Sequence, residues 1–153
     1  VPAKSGISRI YSDRIDAGRV ARVAAVLEKH LGLHLAEHDV YVNVAGGIRI
    51  SEVGVELPLA LALYSARVGT PLPARLAVVG EVSLTGEVRP VPGLDKRVRA
   101  ARELGFDRVI GPAPAGPDVG PAPQAHFHPA PQAQFHPVAL IQEAVKAAFS
   151  APR

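Results

Sequence analysis

Val20, Val23, Ala24, Leu27 and Leu31 recur at spacings of three and four, which is one face of an amphipathic helix. Asp13 or Asp16 is placed to cap its start, and Gly32 suits its end. Arg19, Arg22, Lys29 and His30 lie on or beside its other faces, where they serve as a solvated surface or as a DNA or subunit contact. Val40, Val42 and Val44 then alternate with Tyr41 and Asn43, the pattern of a strand with one apolar side. Gly46 and Gly47 interrupt it. Beyond them Ile48 and Ile50 point one way and Arg49 the other, which predicts a second short strand. Residues 51–54 read as a loop. Glu56 and Pro58 mark a helix start, and residues 59–68 are apolar nearly all round, as in a buried helix.

The stretch GEVSLTGEVRPVPGLDKR, residues 80–97, changes period halfway. A largely β-branched run from Ala77 to Val82 predicts a strand that reverses near Thr85 and Gly86 and returns through Glu87, Val88 and Arg89. Pro90 and Pro92 end the pairing, because proline has no amide hydrogen to give to the ladder. From Gly93 on, Leu94, Val98 and Ala101 recur at helical spacing among Lys96, Arg97, Arg99 and Arg102, so a basic amphipathic helix follows. Arg108, Val109 and Ile110 predict a short strand. Ile141, Ala144, Val145 and Ala148 predict a last helix reaching about Phe149.

Strands interleaved with helices make this an α/β (α+β) domain, a mixed sheet packed with helices. Residues 1–12 lack clear periodicity and read as a lead or linker, so the domain is expected over 13–153. Residues 121–128 read PAPQAHFH and 129–136 read PAPQAQFH, a tandem duplication too short and too proline-rich to be a repeat fold. The whole of 112–137 is therefore expected to be an expanded loop. His126, His128 and His136 are its candidate metal ligands, but no cysteine accompanies them and Asp118 is the nearest acid, so no metal site is assigned.

The 48% hydrophobic content over 153 residues is enough to bury a core in one domain. The lack of cysteine excludes disulfides, zinc-thiolate sites and cysteine nucleophiles. A net charge of +3 permits nucleic-acid binding without demanding it. No run reaches the roughly 18 apolar residues of a membrane helix, and no secretory leader is present, so a cytoplasmic location without a membrane partner is expected. A chain that begins Val1, Pro2, Ala3, Lys4 without a methionine reads as a piece of a longer protein.

With these elements placed, VYVNVAGGIRI, the buried helix, GEVSLTGEVRPVPGL and LGFDRVIGP together resemble the Lon-protease-like C-terminal domain of the RadA/Sms family of bacterial DNA repair proteins. YSDRIDAGRVARVAAVLEKHLGL resembles the segment that opens that domain. The likeness covers residues 11–112 and returns in the last helix; the histidine-containing duplication departs from it. A related Lon-like domain, which precedes a magnesium-chelatase-type ATPase, shares a stretch similar to GEVSLTGEVRPV. The YSDRID and VLEKHLGL segments favour RadA/Sms over it.

Active Lon proteases use a serine nucleophile and a lysine base, an amine of lowered pKa within hydrogen-bond reach of a hydroxyl. Matched to that pattern, the serine position falls on Gly54 and the lysine position on Asp95, so the resemblance implies a degenerate dyad and no catalytic residues. Lys96 is adjacent, but one helical residue turns a side chain by about 100°, and Ser51 lies three residues from the nucleophile position. A Lon-type serine peptidase is thus the alternative reading. The RadA/Sms likeness implies a scaffold that assembles its parent into a homo-oligomeric, hexameric ring and helps hold single-stranded or branched DNA for branch migration. A recombinase of the same pathway is a possible further partner. In that family a zinc finger and a RecA-like ATPase precede the domain, so ATP, magnesium and zinc are expected in the parent; the chain itself has no Walker A loop and no cysteine cluster, and no cofactor is expected in it. Arg14, Arg49, Arg89, Lys96, Arg97 and Arg99 are the candidates for phosphate contact, since arginine and lysine neutralise phosphates and release counterions.

Overall fold

The computed structural model describes residues 1–3, 8–113 and 133–150. In chain order the elements are β1 (Ile10–Asp13), α1 (Ala17–Leu31), β2 (Val40–Asn43), a short 3-10 helix (Val53–Val55), α2 (Glu56–Val68), β3 (Leu76–Val78), β4 (Glu81–Val82), β5 (Val88–Arg89), α3 (Leu94–Glu103), β6 (Arg108–Pro112), β7 (Gln134–Val138) and α4 (Ile141–Phe149). The four helices stand where they are expected, α1, α3 and α4 from their 3.6-residue periods and α2 from its helix-start signal and apolar run. Asp16 is the cap of α1, its carboxylate accepting the Arg19 N–H at 2.7 Å, while Asp13 pairs with Arg14 at 3.4 Å instead.

β3, β6 and β7 form a parallel sheet with β6 in the centre. Strand alternation sends successive side chains to opposite faces. Ile110 and Val138 enter a core shared with α1, α2 and α4, where Val20, Leu27, Leu57, Leu61 and Ile141 are fully buried. Val109 and Phe135 turn to the other face and pack with Val98 and Ala101 of α3 and with Phe106. The sheet is therefore the middle of three layers. β1 and β2 make a separate parallel pair against α1, and β4 and β5 make the antiparallel hairpin expected around Gly86.

Four details differ from the reading of the sequence. First, the run into the hairpin is not one strand. It breaks after Val79, because Gly80 turns its N–H to the Gly54 carbonyl at 3.0 Å and its carbonyl to the Leu57 N–H at 2.9 Å. A Cβ there would stand 3.0 Å from Val88 and 3.1 Å from Leu57, so a side chain has no room. Second, the expected lead already contains β1, and Val1 and Ala3 bond the backbone of Asp39 and Glu37. Third, Ile48 to Ile50 do not form a strand; Ile50 alone bridges Ile15. Fourth, the C-terminal end of the expected loop is β7, an edge strand, where only alternate amides face the neighbour and Pro137 is tolerated. The rest of that loop, 114–132, lies outside the described residues.

Candidate functional site

α2 begins on a buried acid. Glu56 is 4% exposed, yet its carboxylate accepts the Val82 N–H at 3.1 Å and Arg22 Nη2 at 3.0 Å, and faces Arg19 Nε at 3.4 Å. A buried carboxylate survives only when its charge and lone pairs are matched in this way. Arg19 reaches further: its Nη1 and Nη2 donate to the Glu52 and Ser51 carbonyls at 2.8 and 3.0 Å. The segment ahead of α2 is thereby fastened to α1.

That segment forms one wall of a cleft of ≈ 350 Å³, with Gly54 on its floor, Ala77 and Val79 beside it, and Arg97 and Ala101 of α3 opposite. Gly54 is buried, and a Cβ added to it would meet Glu52 Oε1 at 3.2 Å and Val79 Cγ2 at 3.4 Å. Across the cleft, Arg97 pairs with Glu52 and donates Nε–H to the Pro92 carbonyl at 3.0 Å. Asp95 is exposed in the first turn of α3, so it adds negative charge where the helix dipole favours it. Ser51 offers its carbonyl to Arg19.

Of the six candidate phosphate contacts, Lys96, Arg97 and Arg99 share α3, while Arg14, Arg49 and Arg89 lie elsewhere. Arg14 follows β1 with φ 62°, its guanidinium near Asp13 and within 3.4 Å of the Val44 carbonyl. The Ile50 N–H donates to the Arg14 carbonyl at 2.9 Å, which brings Arg49 beside it. Arg89 lies on β5, 3.9 Å from Glu87. Lys96 and Arg99, three residues apart on one face of α3, are exposed and make no ion pair among the described residues; Arg49 is likewise exposed and unpaired there. Arg97 alone faces the cleft.

The sequence reading overlooked Glu52 as the partner of Arg97 and saw in Glu56 only a helix-start acid. An acid directly before an otherwise apolar helix was the available signal. Among the described residues no group of three His, Cys, Asp or Glu comes together as a metal would need. His136 lies in β7, and His126 and His128 lie outside the described residues. No helix among the described residues is long and apolar enough to cross a membrane.

The chain belongs to the ChlI family, described as subunit ChlI of Mg-chelatase, whose model matches residues 15–114. Within the curated proteins it is similar to DNA repair protein RadA. RadA of Treponema pallidum is 53% identical over 121 residues, 79% of this chain and 27% of that protein. RadA of Escherichia coli K12 is 44% identical over 107 residues, 70% and 23%, and that of Bacillus subtilis 168 is 41% identical over 112 residues, 73% and 24%. The chain thus spans about a quarter of the length of these relatives.

Proposed function

We propose that this chain is the Lon-protease-like domain of a RadA-type DNA repair protein, and that it acts without proteolysis, assembling its parent into a hexameric ring and holding DNA during branch migration. The observation that carries this reading is the cleft at Gly54. Gly54 brings no hydroxyl to its lining, and the Glu52 carboxylate that a Cβ on Gly54 would meet at 3.2 Å is paired with Arg97, which supports a cleft without a nucleophile at that position. ATP, magnesium and zinc belong to the parent outside this chain, which has neither a Walker loop nor a cysteine.

Lys96 and Arg99 are the preferred phosphate contacts, because both are exposed and make no ion pair among the described residues while Arg97 is held by Glu52. Charge reversal, Lys96→Glu with Arg99→Glu, weakens DNA binding in a low-salt fluorescence titration. It also lowers the salt slope by about 1 for each phosphate that is no longer neutralised. Unchanged affinity in that titration overturns the assignment.

The family match favours a second reading, the Lon-like domain that precedes a magnesium-chelatase-type ATPase. Relatives named RadA at 41–53% identity weigh towards the repair protein. The parent's upstream sequence separates the two, since a four-cysteine motif followed by a Walker loop belongs to the repair protein.

A further inference from the structure

β1 and β2 present the only exposed tyrosine or phenylalanine rings among the described residues. Alternation sends Ile10, Val40 and Val42 towards the core and Tyr11 and Tyr41 outward. The parallel register sets Tyr11 opposite Tyr41, and the two rings stack with centroids 4.7 Å apart and planes 7° from parallel. Each ring therefore covers one face of its neighbour, and Tyr41 remains 61% exposed.

Arginines flank the pair at both ends. Arg9 Nη1 donates to the Tyr11 hydroxyl at 3.4 Å; Arg14 follows the last residue of β1, with Arg49 on the segment bonded to it. Asp13 pairs with Arg14 at 3.4 Å, and Asp39, just ahead of β2, accepts the backbone N–H of Arg9 at 3.0 Å. A recess of ≈ 540 Å³ adjoins the rings.

We infer that the outer face of β1 and β2 is a stacking platform for single-stranded nucleic acid, with an unpaired base on the free face of the tyrosine pair and the flanking phosphates on Arg9, Arg14 and Arg49. Stacking on an aromatic ring is open to any base because every base has a π-face, but bases inside a duplex already have both faces covered. The face therefore selects unpaired strands, whereas the cations of α3 act on the backbone of either form. This inference rests on the nucleic-acid reading of the domain and adds a site to it.

The chain supplies its own probe. It contains no tryptophan and three tyrosines, and the third, Tyr64, packs against Phe149 at 5.3 Å. Quenching of intrinsic tyrosine emission on adding an oligo-dT strand to the full chain thus reports on Tyr11 and Tyr41. Tyr41→Ala and Tyr11→Ala each weaken oligo-dT binding by roughly tenfold and leave binding of a duplex of equal length unchanged, while Tyr41→Phe keeps the affinity. Wild-type affinity for oligo-dT in both alanine variants overturns the platform, as does an equal loss for strand and duplex. A change of mass in light scattering on Tyr41→Ala also overturns it, by making the face a contact between copies. If Lys96 and Arg99 matter while the tyrosine variants are silent, only the platform fails. If the wild-type chain binds neither form, the nucleic-acid reading fails with it.

Discussion

Glu56 serves three groups at once, and its loss leaves two of them stranded. Removing one member of a buried ion pair costs about 3–5 kcal/mol, because the remaining charge stays buried without compensation. Arg19, whose side chain is 14% exposed, and the Val82 N–H are those orphans. Glu56→Ala is therefore expected to destabilise by about that amount, read as a shift of the urea midpoint, and Glu56→Gln by less, since an amide oxygen still accepts from Val82. Equal losses in the two variants would refute this account. His136 gives a second effect at the same scale. Burial and then the positive charge of Arg108 hold its pKa below 6.5, and its Nε2 is buried with no hydrogen-bond partner among the described residues. The unfolded chain takes up this proton more readily than the folded one. The contribution is thus fully present above about 6.5 and is lost as pH falls through the folded value. Between neutral and mildly acid pH, wild type should lose more stability than His136→Gln. The difference between the two proteins isolates this residue from the other histidines.

At the scale of elements, the helices and the hairpin were legible because their signals are local. α1 and α4 carry an apolar stripe, α2 is apolar nearly all round, and Thr85 with Gly86 marks the turn between β4 and β5. What escaped depends on distant partners. β7 reads as proline-rich loop until β6 is there to pair with it, and β1 reads as linker until β2 is. The break at Gly80 comes from the backbone of Gly54 and Leu57, which no window around residue 80 contains. Conversely, Ile48 to Ile50 have strand alternation, but only Ile50 finds a partner, in a single bridge to Ile15. The candidate site divides the same way. Matching a motif points to Gly54, which lines the cleft, and to Asp95, which does not, whereas the Arg97–Glu52 pair across the cleft needs the fold.

Taken as a whole, the molecule links its cleft to its first helix through one continuous set of contacts: Glu56 holds Arg19, Arg19 holds the carbonyls of Ser51 and Glu52, and Glu52 holds Arg97 of α3. The cleft geometry is thus set by a charge network as well as by apolar packing. The family match ends near residue 114, but the core does not. β7 and α4 lie beyond it and still fill the centre.

The late arrival of β7 and α4 has a consequence for the integrity of the chain. Val138, Ile141, Ala144 and Ala148 are fully or nearly fully buried in a core whose other buried residues all precede 114, and β7 is zipped along the length of β6. Segment 114–132 is the covalent tie between the two parts. A chain cut within it should behave as a split protein: fragments 1–113 and 133–153, expressed separately, are expected to combine into one folded species. Neither piece alone should show a cooperative melt, because 133–153 carries Val138, Ile141, Ala144 and Ala148 of the shared core and 1–113 carries the rest. Mixing the two and following the circular dichroism melt checks this, and a first fragment that melts cooperatively by itself would show that the last strand and helix are an addition to the fold.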